Sequence, residues 1–173
     1  FEVNVFGAMA VTRAAIPILR EQGSGLLMQI SSQTGRFVGP GFSVYGASKW
    51  ALEGFSEGLS RELTGSGVRV LIVEPGPFRT EWAGRSMEYA APMDEYAYTV
   101  DPMRLRLTAL DGRQPGDPVR AAAILCDVAG RDELPLRLPL GRFAVETTSR
   151  VAREATLTVE QWGDLALHAD YPE

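Results

Sequence analysis

The sequence predicts an α/β fold built on a mainly parallel sheet, on three observations. Short apolar runs at residues 26–30 and 68–73 are bounded by turn signals, as buried strands are. Stretches with helical spacing of apolar residues precede, separate and follow these runs. Helices that alternate with buried strands act as crossover connections, and crossovers make neighbouring strands parallel.

The elements follow in order. Residues 1–21 are expected to form a helix with Val5, Ala8, Met9, Thr12, Ile16 and Leu19 on one stripe, bent in its last turn by Pro17. Gly23-Ser24-Gly25 turns into the strand at 26–30. Residues 33–42 carry three glycines and a proline and read as a loop. Ser43 is the expected N-cap of a helix running to about Leu63, with Val44, Ala47, Ala51, Leu52, Phe55, Leu59 and Leu63 inward. Gly65 and Gly67 end it. The β-branched run at 68–73 is a second strand, stopped by Pro75-Gly76-Pro77. Residues 78–115 hold Pro92, Pro102 and Pro115 and read as a long excursion of short helices. Asp117-Pro118 caps and starts a helix to about Ala129. Residues 134–140 are a third strand despite their prolines, and 142–155 and 159–168 are closing helices. The expectation is a single domain over 1–173.

Composition narrows the function. Hydrophobic residues are 45% and charged residues 23% of the 173, ordinary for a soluble globular domain. The net charge is -5 with scattered arginines and no basic run, which argues against a nucleic-acid surface and an acidic membrane surface. The lone Cys126 permits no internal disulfide and reads as a small buried hydrophobe. With His168 the only histidine, no zinc site of the usual kind is expected. No apolar stretch is expected to reach the ~20 residues of a membrane span. With no signal peptide visible, the expectation is a cytoplasmic protein. The chain opens at Phe1 in mid-pattern and reads as a fragment.

In open parallel sheets ligands sit beyond the carboxyl ends of the strands. That rule points to Ser31-Ser32, to residues 74–80 and to the loop around Leu140. Tyr45 and Lys49 stand four apart on the predicted second helix, hence on one face. A phenol has a pKa near ~10, and a neighbouring ammonium favours its ionised form. The pair can therefore serve as a general acid/base. Taken alone, the same spacing also describes a surface tyrosine and a solvated lysine. Ser32 lies thirteen residues before Tyr45 at the end of the preceding strand, and Asn4 sits near the start of the preceding helix.

Together, Asn4 in Val-Asn-Val-Phe-Gly, Ser31-Ser32 in Ile-Ser-Ser-x-x-Gly, Tyr45-Gly-Ala-Ser-Lys49, and Pro75-Gly76 with Thr80 resemble the short-chain dehydrogenase/reductase family in order and spacing. The resemblance implies a Rossmann-like doubly wound parallel sheet, here its C-terminal portion of about three strands with flanking helices. It implies hydride transfer between NAD or NADP and a carbonyl or alcohol. Tyr45 would carry the proton, Lys49 would hold the nicotinamide ribose and lower the Tyr45 pKa, and Ser32 would bond the substrate oxygen. Asn4 would anchor a water on the relay towards Lys49. Pro75, Gly76, Phe78 and Thr80 would line the nicotinamide. The chain has one lysine, Lys49, against sixteen arginines, and one asparagine, Asn4, which adds support. The family's glycine-rich pyrophosphate turn does not occur in these residues.

The family's lid corresponds to about 78–115. Its Trp82, Met87, Tyr89, Met93, Tyr96, Tyr98 and Met103 suggest an apolar substrate, or simply a lid packed on its own domain. Ala10, Ala14, Trp50, Gly54 and Gly58 form a second apolar or small-residue face, which in this family builds a homodimer or homotetramer. A serine hydrolase is a poor rival, because Gly41-Phe42-Ser43-Val44-Tyr45 lacks the second glycine of a nucleophile elbow. Sugar-nucleotide epimerase relatives share Tyr-x-x-x-Lys but fit the Pro-Gly-x-x-x-Thr segment less well. A reading from another class is an inactive truncated relative, or a cofactor-sensing or scaffolding one.

Overall fold

A computed structural model of the chain describes residues 1–171; the last two residues of the expected domain lie outside that range. The strands β1 (Gly25–Ile30), β2 (Val68–Pro75) and β3 (Arg137–Leu140) form one parallel sheet in the order β1-β2-β3. β1 pairs with β2 from Gly25↔Val68 to Ile30↔Val73, and β2 pairs with β3 from Ile72↔Arg137 to Pro75↔Leu140. The helices are α1 (Ala8–Glu21), α2 (Ser43–Glu62), α3 (Ala97–Leu110), α4 (Pro118–Ala129) and α5 (Arg142–Leu167). This is the expected α/β portion of a doubly wound sheet.

Successive strand residues point to opposite faces, so each face of β2 meets its own helices. Val68 and Val70, with Leu27, pack on Ile16 and Leu19 of α1 and on Phe55, Leu59 and Leu63 at the α2 side. Leu71 and Val73, with Leu26 and Met28, pack on Ala121, Leu125 and Val128 of α4. A strand covered on both faces reads as an unbroken apolar run, which is why β2 is visible in the sequence. Leu71, Ile72 and Val73 are fully buried, and each such side chain contributes about 1.5–3 kcal/mol on burial.

Several expectations need correction. The first turns, Glu2–Gly7, are π-helical, with the Val5 and Phe6 amides both donating to Phe1 O, and α1 continues them without a break. The joined helix Glu2–Glu21 is long and apolar enough to cross a membrane by length and composition, contrary to the expectation of no such stretch. Its apolarity comes from two faces: one buries Val5 and Thr12, the other leaves Val3, Val11 and Ile18 exposed. Ser43 is the first residue of α2 and not its cap; Phe42 precedes it without a side-chain cap bond. The inward face of α2 is more polar than expected. It buries Ser48, Lys49, Glu53 and Ser56 beside Leu52 and Leu59, while Val44 is 74% exposed. An apolar-stripe reading cannot find a buried face made of polar residues.

The closing region is one helix of 26 residues, not two. The Thr156 and Thr158 hydroxyls donate back to the carbonyls of Ala152 and Glu154, so these threonines are held within the helix. Cys126 is exposed, not buried: Leu125 and Val128 take the inward positions of α4, and Cys126 turns away. The excursion is more regular than expected, because α3 runs fourteen residues through Pro102. Its base is pinched by a parallel bridge between Phe78 and Gly116, and the Arg79 guanidinium donates to Gln114 O.

Candidate functional site

The carboxyl ends of β1 and β2 bring the predicted residues together. β1 ends at Ile30, and the buried Ser31 continues the ladder through its amide to Val73 O at 2.8 Å. Ser32 then caps a 3-10 turn, Gln33–Gly35, accepting from the Thr34 amide at 3.1 Å. That bond occupies one lone pair of Ser32 Oγ and leaves its proton free to donate elsewhere.

Tyr45 and Lys49 stand one turn apart on α2, facing this turn. The buried Lys49 ammonium donates to Ile30 O at 3.0 Å and lies 5.8 Å from the centre of the Tyr45 ring. Burial lowers its pKa from the ordinary lysine value. Burial raises the pKa of the Tyr45 phenol, and the Ser32 and Thr34 hydroxyls pull it back down. Desolvation is the largest influence on the phenol, and the Lys49 ammonium is bound to a backbone carbonyl.

Asn4 lies in the π-helical turn, a feature that often marks functional positions. Its Nδ2 donates to Ser48 Oγ at 3.1 Å, and Ser48 Oγ donates to Tyr45 O at 2.7 Å. Asn4 thus grips the first turn of α2 through Ser48, a residue that the motif reading passed over.

Pro75 ends β2, and the Gly76 amide donates to Leu140 O at 3.0 Å, so this loop and the one after β3 are tied together. A Cβ on Gly76 would stand 3.2 Å from the Ala144 amide nitrogen, which leaves little room for any other residue there. The Phe78 ring packs into the α4-side core cluster. Thr80 Oγ1 accepts from the Trp82 amide at 3.3 Å and so caps the turn Glu81–Ala83.

The excursion after β2 contributes Trp82, which lies 5.7 Å from the Tyr45 ring centre and stacks on Phe42 at 6.0 Å. Beside this aromatic group a cavity of about 280 Å³ opens between the excursion and the Pro40–Phe42 loop. Of the seven residues expected in a lid, Met87, Tyr89, Met93, Tyr96 and Met103 line it. Trp82 sits on Tyr45 instead, and Tyr98 points outward, 93% exposed. Thr34 and Phe42 escaped the sequence reading; the signal for Thr34 was its place in the turn after Ser32.

A parallel sheet with helices on both faces defines a class, the open doubly wound α/β proteins, whose ligands bind beyond the carboxyl ends of the strands, where Tyr45 and Lys49 stand. The profile described as short chain dehydrogenase matches residues 1–90, and the chain belongs to that family. An oxidoreductase of Botryotinia fuckeliana (strain B05.10), BOA17, is 39% identical over 166 residues, 96% of this chain and 61% of the relative. The uncharacterized oxidoreductase YusZ of Bacillus subtilis (strain 168) is 34% identical over 146 residues, 82% of this chain and 52% of the relative. A crystal structure of a short-chain dehydrogenase from Streptomyces avermitilis superposes with a TM-score of 0.88 at 40% identity, over 98% of this chain and 62% of that one. The chain therefore spans between half and two thirds of the length of these relatives.

Proposed function

We propose that this chain forms the catalytic part of an oxidoreductase that moves a hydride between NAD or NADP and a carbonyl or alcohol substrate, with Tyr45 as the general acid/base. The observation that carries the reading is the group of Ser32, Tyr45 and Lys49 at the carboxyl end of β1, with Thr34 beside the phenol. In the reductive direction the Tyr45 phenol gives its proton to the substrate oxygen; in the oxidative direction its phenolate takes the proton. The free proton of Ser32 Oγ bonds that oxygen and fixes it against the phenol. Lys49 provides positive charge beside the phenolate.

The residues present fit the nicotinamide half of a dinucleotide. Lys49 uses one N–H on Ile30 O and has two more for ribose hydroxyls. Gln33 Oε1 is buried at this end of the sheet without a partner, as a group awaiting a polar ligand is. In this reading Pro75, Gly76 and Thr80 would form the nicotinamide wall. The bound dinucleotide supplies the hydride donor or acceptor. The mostly apolar lining of the lid cavity, interrupted by Glu88, Asp101 and Arg104, supports a largely apolar substrate. The scaffolding alternative is not favoured, since the four residues Asn4, Ser32, Tyr45 and Lys49 are all present and meet around one helix turn. Replacing Tyr45 by Phe tests the reading through turnover.

A further inference from the structure

Charged side chains meet beneath the site on the α2 side of the sheet, and the proposed proton transfer uses none of them. Glu74, next to last in β2, is fully buried; its Oε1 accepts from Arg36 Nε at 2.7 Å and lies 3.7 Å from Arg137 Nε. Arg137, the first residue of β3, donates to Glu53 Oε2 at 2.9 Å and to Glu57 Oε2 at 2.6 Å, both on α2. Glu53 lies one turn beyond Lys49 on the same helix face. Arg36 follows the 3-10 turn that begins at Ser32. A Cβ on Gly35 would come within 2.8 Å of both Glu53 Cγ and Ser31 Oγ, so this turn rests directly on Glu53. The cluster therefore ties together the Ser32 turn, α2 behind Tyr45 and Lys49, the end of β2 and β3.

Fold stability is a weak reason for such a cluster. Apolar residues of the same shape commonly match or exceed a buried ion pair. Here Glu74 Oε2 and Glu53 Oε1 are buried without partners. Burial pushes the Glu74 carboxyl above the ordinary carboxylate range, the Arg36 hydrogen bond opposes this, and the Glu53 charge adds to it. What charge-assisted bonds supply here is direction and fixed distance. Glu74 immediately precedes Pro75-Gly76, and its partner Arg36 immediately follows the turn of Ser32 and Thr34.

We propose that Glu74 is a positioning residue for the reaction: through Arg36 it locks the Ser32 turn to the Pro75-Gly76 loop, so that the hydroxyls and the cofactor wall hold one register. This rests on the reading of Tyr45 as the acid/base. Misplacement of a reacting group by ~1 Å costs on the order of a hundredfold in rate, which sets the size of effect to look for.

The test is steady-state kinetics on the full-length protein at saturating cofactor. Arg36→Ala is the leading variant, because its side chain is 32% exposed and its loss opens no deep cavity. The expected result is a kcat lower by about ten- to a hundredfold with substrate KM nearly unchanged. Glu74→Gln keeps an acceptor for Arg36 Nε and should keep most of kcat; Glu74→Ala, which removes that acceptor, should lose about as much as Arg36→Ala, and the double variant Arg36→Ala with Glu74→Ala should be no slower than Arg36→Ala alone, as coupled residues are. Should Arg36→Ala not fold, Arg36→Lys keeps the charge, loses the fixed fork and carries the same test. A wild-type kcat in the Arg36 variant, a loss confined to KM, or losses that multiply in the double variant would overturn the proposal. Tyr45→Phe is the control. If it keeps turnover, the functional reading itself fails; if it is inactive while the Arg36 variant is not, only the positioning role fails.

Discussion

Replacing Lys49 by Met removes one ammonium and keeps an unbranched side chain of similar length. In the structure that ammonium is buried, holds Ile30 O at 3.0 Å and has two N–H groups to spare. A hydrogen bond from a charged group is worth about 1.5–3 kcal/mol. Losing even one such bond to a ribose hydroxyl weakens cofactor binding by about ten- to 150-fold, at a factor of ten per ~1.4 kcal/mol. The carbonyl of Ile30 also loses its side-chain donor, a cost of about 1–3 kcal/mol in stability. In a domain of this size each kcal/mol lowers the thermal midpoint by about 2–4 °C. Equilibrium titration with each dinucleotide, followed by protein fluorescence, measures the first effect, and thermal melts of the apoprotein measure the second. Turnover should fall with affinity, because the positive charge beside the phenol goes too. Unchanged cofactor affinity in a folded Lys49→Met protein would refute the assignment of this ammonium to the ribose.

Two further outcomes follow from the same geometry. Burial raises the Tyr45 pKa, so the proton-donating form persists through neutral pH; reductive kcat/KM should stay level there and fall only as alkaline pH removes the proton, whereas the oxidative rate should rise with pH. A reductive kcat/KM that climbs with pH would contradict the acid role. The face carrying Ala10, Ala14, Trp50, Gly54 and Gly58 is exposed in this chain, with open space around Gly54 and Gly58. Sedimentation should find the full-length protein dimeric or tetrameric and Trp50→Glu dissociated; a monomeric parent protein would exclude that interface.

The parts of the fold governed by simple periodicity were legible. β2 stands out because both of its faces are covered, and α4 because Asp117 accepts from the Val119 and Arg120 amides at its start. Legibility failed where polar groups are buried or apolar ones exposed. The hydrophobic run of β2 ends at Val73, yet the strand continues through a buried Glu74 whose partners lie at Arg36 and Arg137, far away in sequence. The inner face of α2 is hidden from an apolar-stripe reading by Lys49, Glu53 and Ser56. Cys126 sits in a run of apolar residues longer than one helix face can bury. The site was legible as a pattern of Asn4, Ser32, Tyr45 and Lys49, but its local bonding was not. That Asn4 bonds Ser48, and that Trp82 lies against Tyr45, depend on how the π-helical turn and the lid pack, and neither leaves a period in the sequence.

The central claim is that Tyr45 carries the proton. The most direct measurement is the single-turnover rate of hydride transfer in Tyr45→Phe, read from reduced-nicotinamide absorbance with cofactor already bound. The ring and its contacts with Phe42 and Trp82 are kept, and only the hydroxyl is lost. The account predicts a rate lower by about 10²–10⁴-fold, the usual contribution of a general acid/base, with cofactor affinity nearly unchanged. A variant that keeps more than about half of the parent rate would contradict it, since removing a general acid/base costs far more than that.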